Sequence, residues 1–359
     1  MTAEQQRHQQ QLAFAASGAE LEIGSAADCP LPLEQLVITD ADSPWVRQHF
    51  SAGLTAEVYR IEAGDRHWTL KRARQRCKVQ NVDGQTSFLN ELQHRADIQR
   101  LKAGPGGFER FAALVDTQYA SYRRGVLLSP WIAGKPVQDW TERRLLQLFD
   151  CLRALLLEGL FEWDLCPGNI LDDGRIRLFD FGYMYRFDPL RHFNSNGTAT
   201  PQFHGAERFE TRHYFAHLMT LERQSETRAL AALRLEKQIT LDTYRQLQMD
   251  LAQRGASPVV LDWLAAICAG WQRALQGDLE DLYLEEAWRS HWLDLHDDLG
   301  GQTCTPLTLA RIDWLESALH QRQADLRRLQ VLETPGAGED FREQLRLARQ
   351  QASTWQVGG

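Results

Sequence analysis

The sequence predicts an α+β protein in which a mixed, strand-containing first part is followed by a helical remainder, and three observations predict it. Ala56–Ile61 and His67–Ala73 read as two short strands joined by a turn at Ala63-Gly64-Asp65. Farther on, Ile170-Leu171 and Ile176–Phe179 flank Asp172-Asp173-Gly174, the turn chemistry of a small β-hairpin. Beyond about Glu210 the apolar residues recur only at helical spacing. Strands, one helix, strands and then helices is an α+β order.

Taken in chain order, residues 1–40 open Gln-rich and polar and are expected to be a partly disordered lead-in. After the first two strands comes a loop containing Asp83-Gly84. Thr86 or Ser87 then caps a helix running to Leu101, with Phe88, Leu92 and Arg95 at helical spacing. Gly-Pro-Gly-Gly at 104–107 stops it. Phe111–Thr117 and Gly125–Trp131 read as further strands. Leu145, Leu148, Phe149, Leu152, Leu155, Leu156 and Leu160 form the apolar stripe of an amphipathic helix. Thr305-Pro306 opens another helix, a capping hydroxyl followed by proline in the first turn. There Ile312, Leu315, Leu319, Leu326 and Leu329 follow a 3–4 spacing that Arg322 interrupts. The stripe is expected to pack onto neighbouring helices, with a coiled-coil seam to a partner as the alternative. Trp263, Trp271, Trp288, Trp292, Trp314 and Trp355 of the same region are expected in its core.

Composition narrows the function classes. The chain has 359 residues, 43% hydrophobic and 25% charged, which is ordinary for a globular protein. Its 40 basic and 48 acidic residues leave a net charge of −8, which argues against nucleic acid as a partner. The six cysteines form no C-x-x-C pair, so neither a zinc site nor a disulfide framework is expected, and a cytoplasmic location fits best. No membrane span is expected either: the most apolar stretch, Leu145 to Phe161, is interrupted by Asp150, Arg153 and Glu158.

The residues with the most chemical content lie in FEWDLCPGNILDDGRIRLFDFG, Phe161 to Gly182. Transfer of a phosphoryl group needs metal on the phosphates, a cation on the nucleotide and a base that orients the attacking hydroxyl. Asp164 offers a carboxylate to the acceptor hydroxyl. Asn169 and Asp180, on either side of the hairpin, offer hard oxygen ligands suited to Mg²⁺.

The frame resembles the motif set of the protein-kinase-like superfamily, over about Trp45 to Glu207. The resemblance implies a bilobal fold with an N-lobe over 41–131, the catalytic part of a C-lobe over 132–225, and an extended helical region over 226–359. It implies ATP and Mg²⁺ as cofactors. Lys71, ending Trp68-Thr69-Leu70-Lys71, would contact the α- and β-phosphates, and Glu91 would pair with it. Gly53 survives from the glycine-rich loop in Ser51-Ala52-Gly53-Leu54-Thr55-Ala56-Glu57-Val58, where small residues still let backbone approach phosphate. Leu128-Ser129-Pro130-Trp131 resembles the adenine-binding hinge, with the Ser129 carbonyl accepting from adenine and the Trp131 N–H donating to it.

Three positions depart from the pattern. Trp163 replaces an arginine that clamps a phosphorylated loop, and Glu162 replaces a scaffolding histidine. Cys166 stands where serine/threonine protein kinases carry a lysine, and Asp-Leu-x-Pro-Gly-Asn is similar to the loop of aminoglycoside and choline kinases. Thr198 to Glu207 resembles the end of an activation segment, with Ser195, Thr198 and Thr200 as candidate autophosphorylation sites. The reading leans to a protein serine/threonine kinase. A small-molecule or sugar kinase is the alternative, and a nucleotide-binding scaffold without transfer is the third.

Overall fold

The computed structural model describes residues 2–51, 53, 55–75, 77–79, 82–332 and 341–357. The chain divides into two compact units. One is Met1–Val137 with Glu158–Phe187 and Ser195–Gly197, and the other is Gln138–Leu157 with Asp188–Asn194 and Thr198–Gly359. The segment from Asp164 to Asp180 therefore folds with the strand-rich unit.

That unit holds helices α1 (Ala3–Ala16), α2 (Leu33–Ile38), α3 (Val82–Ala103) and α4 (Gly107–Arg110). Its strands are β1 (Glu22–Gly24), β2 (Val46–Phe50), β3 (Ala56–Ala63), β4 (Arg66–Ala73), β5 (Tyr119–Ser121) and β6 (Val126–Pro130), then β7 (Lys135–Pro136), β8 (Leu160–Glu162), β9 (Ile170–Asp172), β10 (Ile176–Leu178) and β11 (Met184–Arg186). A six-stranded sheet runs β1-β5-β6-β4-β3-β2, with every pairing antiparallel. The expected first pair of strands is β3–β4, in register from Ala56↔Ala73 to Ala63↔Arg66.

Strand alternation sorts the side chains onto two faces. Ile61, Trp68, Leu70, Val126 and Leu128 form one apolar face, and Leu36, Leu33 and Val37 of α2 cover it. Leu127 and Ala120 face the other way, toward Leu92 and Phe88 of α3. Lys71 pairs with Leu127 and follows Leu70, so the same alternation turns it to the α3 face.

Residues 2–40, expected as a lead-in, contribute α1, β1 and α2. Thr2 and Gln5 cap α1 reciprocally, Gln5 N–H donating to Thr2 Oγ1 at 3.1 Å and Thr2 N–H to Gln5 Oε1 at 3.0 Å. The physical reason for order here is the sheet, whose apolar face α2 covers. Asp83-Gly84, expected as a loop, is the first turn of α3; Asp83 favours that end electrostatically and accepts from Tyr185 Oη at 3.0 Å. Phe111–Thr117 is not a strand. Phe111 N–H and Leu114 N–H make local turn bonds to Gly107 O and Phe111 O, and the segment meets β10 through Val115 N–H to Leu178 O and Leu178 N–H to Ala113 O, both at 2.9 Å.

The second unit is helical: α5 (Glu142–Leu157), α6 (Gly205–Phe209), a π-helical turn at Glu210–Tyr214, α7 (Phe215–Glu222), α8 (Glu226–Gln253), α9 (Pro258–Arg273), α10 (Leu279–Gly301), α11 (Pro306–Gln321), α12 (Gln323–Arg328) and α13 (Phe341–Thr354). The expected break at Arg322 is the boundary between α11 and α12. Ile312, Leu315, Leu319 and Leu326 are buried against Trp288, Leu295 and Leu345, with Leu329 packed at the edge. Among the described residues no helix is long and apolar enough to cross a membrane.

Candidate functional site

Two antiparallel pairings bring the separated acidic positions to one place. β8 pairs with β11 through Glu162↔Met184, so Asp164, just past β8, and Asp180, just before β11, lie at the same end. β9 pairs with β10 through Ile170↔Leu178, so Asn169, just before β9, also approaches Asp180. Asn169 Nδ2 donates to Asp164 O at 2.9 Å and to Asp164 Oδ2 at 3.1 Å. Its amide nitrogen is thus spent on Asp164, which leaves the carbonyl oxygen Oδ1 for other work.

Lys71 is the hub. It is 4% exposed, and its Nζ donates to both carboxylate oxygens of Glu91 at 2.9 Å and to Asp180 Oδ2 at 2.7 Å. Burial opposes the ammonium charge, yet Asp180 and Glu91 outweigh it and hold the pKa of Lys71 above its ordinary value. Burial likewise works against the charge of Asp180, but Lys71 and the Gly182 N–H, 3.2 Å from Oδ1, hold its carboxyl below the usual range. The Asp180 side chain keeps 30% exposure, so the carboxylate is accessible from solvent beside the buried ammonium.

Arg95 is a member of the site that the sequence reading missed. It is 2% exposed, one turn after Glu91 on α3. Its Nη2 donates to Glu91 Oε1 at 2.9 Å and also to the carbonyl of Phe179, and its Nη1 approaches Ser129 Oγ at 3.4 Å. It therefore ties α3 to β6 and to the residue preceding Asp180. The available signal was an arginine four residues after a glutamate on an otherwise apolar face.

Glu162 is buried, at 5% exposure, and its Oε1 accepts from the Asp164 N–H at 2.8 Å. Burial, reinforced by Asp164, Asp180 and Glu91, raises its pKa well above the usual range. Replacement by glutamine retains an acceptor for the Asp164 N–H and adds no charge, so Glu162→Gln is expected to leave turnover within about twofold. Glu162→Ala removes a hydrogen bond from the Asp164 backbone and is expected to lower turnover by about tenfold. Steady-state rates of the two variants at equal folded fraction check this.

Trp163 has a structural partner where the family pattern places an arginine. Its Nε1 donates to Ser195 Oγ at 2.9 Å, and its backbone N–H donates to Tyr183 O at 3.2 Å. Ser195 is 5% exposed, so its hydroxyl is enclosed and already accepts a hydrogen bond.

The loop over β2 and β3 keeps its one essential glycine. A Cβ on Gly53 would lie 2.4 Å from Ala56 O, and the Gly53 carbonyl accepts from Arg74 at 2.9 Å and 2.8 Å. Arg74 also pairs with Glu57. Ala52 and Leu54 of the same motif lie outside the described residues.

The strand register bears on the backbone of Ser129 and Trp131, the residues expected to form a hinge. Trp131 N–H donates to His67 O at 3.1 Å, and Ser129 lies opposite Thr69 in the β4–β6 ladder. Ladder hydrogen bonds alternate along an antiparallel pair, so Ser129 and Trp131 both turn their backbone groups toward β4. Within β6 the Pro130 carbonyl faces away from β4. Ser129 instead contributes its hydroxyl to Arg95.

No group of three or more His, Cys, Asp or Glu side chains gathers as a metal site among the described residues. Asp180 and Asn169, a carboxylate and an amide oxygen, suit Mg²⁺, which takes one or two protein oxygens and fills its shell with water and phosphate.

Neither a family model nor a curated protein sequence matches the chain. Crystal structures of WbdD, described in one case as a bifunctional kinase-methyltransferase, share 16% and 17% identity with it at a TM-score of 0.29. Each match covers 40% of this chain and 34% or 35% of the WbdD chain, so it spans about a third of those proteins.

Proposed function

We propose that the chain is a protein-kinase-like phosphotransferase that moves the γ-phosphoryl group of ATP to a hydroxyl. The observation that carries this is Lys71 Nζ, buried and held between Glu91 and the partly exposed Asp180. An isolated structural ion pair has no need of a second, solvent-facing carboxylate. Lys71 binds the α- and β-phosphates, and Glu91 and Arg95 fix its position. Asn169 and Asp180 would hold Mg²⁺, which supplies charge neutralisation on the phosphates. Asp164, braced by Asn169 and by Glu162, accepts the proton of the acceptor hydroxyl as its oxygen bonds to the γ-phosphorus. The bond from the γ-phosphorus to its bridging oxygen breaks, and ADP leaves. Adenine is held by Pro130 O and Ile132 N–H, one residue on from the pair expected in the sequence.

The sequence reading leaned to a protein serine or threonine acceptor. A specific observation favours a small hydroxylated molecule instead: Ser195 is enclosed under the Trp163 indole. Thr200 likewise has its hydroxyl on Asn194 Oδ1 at 3.2 Å, and Asn194 Nδ2 binds Thr200 O and Phe203 O at 2.9 Å. A segment closed on itself offers few free backbone groups to an extended polypeptide. Trp163 also cannot clamp a phosphate, so turnover is independent of loop phosphorylation.

The test is radiolabelled ATP with Mg²⁺ and the protein alone, then with pooled small hydroxylated metabolites, then with a protein lysate, followed by mass spectrometry of the labelled product. Label is expected in a small molecule and absent with Asp164→Ala. Label in Ser195 or in lysate protein would restore the protein-kinase reading. Nucleotide binding with no transfer to any acceptor would leave only a scaffold.

A further inference from the structure

We infer that Gln11, on the N-terminal helix α1, is a positioning residue for the Asp180 loop, so that α1 is a built-in part of the phosphotransfer machinery. Gln11 is 5% exposed, and each of its polar atoms points at α3. Its Nε2 donates to Asn90 Oδ1 at 2.8 Å and, more weakly, to Gln93 Oε1 at 3.5 Å, while its Oε1 accepts from Thr86 Oγ1 at 2.8 Å. Asn90, 1% exposed, passes the connection on: its Nδ2 donates to Gly182 O at 3.0 Å and to Met184 O at 2.7 Å. The two amides thus form an unbroken line from α1, through the turn of α3 that carries Glu91, to the backbone two residues past Asp180. A buried amide network in which the donors are satisfied fixes one register, because any slip strands a polar atom without water.

Two further contacts tie the same pieces. The guanidinium of Arg7, one turn earlier on α1, lies 3.7 Å from the Tyr185 ring centroid, and Tyr185 Oη donates to Asp83 at the start of α3. β11 in turn pairs with β8, whose Glu162 holds the Asp164 N–H. The position of α1 is therefore coupled to Asp180 directly and to Asp164 through one strand pair. Neither the resemblance nor the sequence reading assigned this helix a role.

The inference rests on reading Asp180 as the metal-bearing carboxylate, and its test separates the two. Hydrogen–deuterium exchange across residues 180–186 is measured on the ligand-free protein, alongside the Mg²⁺ requirement for turnover and nucleotide affinity without Mg²⁺. Gln11→Leu keeps the volume and removes the bonds. It is expected to speed exchange in 180–186 by about tenfold or more and to raise the Mg²⁺ requirement by a similar factor, with metal-free nucleotide affinity unchanged. Thr86→Val removes one donor and is expected to act in the same direction by a smaller factor, which covers the case in which Gln11→Leu does not fold. Leu12→Ala, on the exposed side of α1, is expected to change none of the three. A lower melting temperature with unchanged exchange and Mg²⁺ requirement in both relay variants would overturn the inference and make α1 a plain stabilising helix. Faster exchange in a protein that transfers no phosphoryl group would support the coupling and overturn the kinase reading alone.

Discussion

Asp180→Ala is expected to lower phosphoryl transfer by about 10³-fold, and the loss is expected to fall on kcat. The geometry explains the partition. In the native chain Lys71 Nζ lies between Glu91 and Asp180, and Arg95 pairs with Glu91. Removing Asp180 takes one negative charge away from beside Lys71. That change favours a polyanionic nucleotide, so affinity for ATP without Mg²⁺ is expected to hold or to tighten. What is lost is the carboxylate that would carry Mg²⁺ to the transferring group, an interaction that matters most as charge moves to the leaving oxygen. The fold is expected to survive, because Lys71 keeps Glu91 and the Asp180 side chain is partly exposed. Asp180→Asn, which keeps an oxygen donor without its charge, is expected to fall between. Transfer within tenfold of the native rate in the alanine variant, measured at matched folded fraction, would remove Asp180 from the metal site.

The clustering of these residues was legible in the sequence because it is local. Asp164, Asn169 and Asp180 lie within one short stretch, and a hairpin with a clear turn signal brings their ends together. The Lys71–Glu91 pair was legible as a strand-ending lysine followed by a helix. Features that depend on register or on distant segments were not. Which backbone groups of Ser129 and Pro130 face β4 turns on the phase of one ladder, and a shift of one residue reverses every backbone group. Arg95 has the look of one more residue in an amphipathic pattern, although it joins Glu91 to Ser129 and to the Phe179 carbonyl. Gln11 is one glutamine in a Gln-rich run, and only burial against Asn90 distinguishes it from its neighbours. Phe111–Thr117 shows the opposite error. Its run of apolar residues predicts a strand, but contact with β10 uses the same residues through an isolated bridge rather than a ladder.

The helical unit has a second buried charge centre, and Lys237→Met is expected to cost about 3–5 kcal/mol of stability there. Lys237, on α8, is fully buried. Its Nζ lies 2.7 Å from Glu210 of the π-helical turn, 2.8 Å from Glu286 of α10 and 3.6 Å from Glu236, and 5.0 Å from the centroid of the Trp271 ring on α9. One cation thus serves three carboxyls, too few charges to keep all of them ionised. Burial accordingly pushes Glu210 up to about 8 and Glu286 up to about 7 against the pull of Lys237. Methionine fills the space but leaves the carboxyls with no cation, and the helices that meet there lose their common partner.

The same cluster sets a pH dependence whose sign can be worked out. Glu210 and Glu286 hold protons in the folded chain that the unfolded chain has released, so their contribution declines as pH climbs from the ordinary carboxylate value through about 7 and 8. The buried histidines act oppositely. His204, held at about 3, and His94 and His291, held below their ordinary 6.5, take up protons only on unfolding, which raises stability with pH up to about that value. Above it the glutamates prevail, and stability is expected to fall by roughly 1–2 kcal/mol between pH 6.5 and 8. Denaturant midpoints followed by tryptophan fluorescence read both effects, because Trp271 is buried beside the ammonium. In Lys237→Met the carboxyls should release their protons at still higher pH, so the decline should continue past pH 8. Equal midpoints for the native and variant proteins across this range would mean that the three glutamates are neutral without Lys237 and that the lysine binds nothing of consequence.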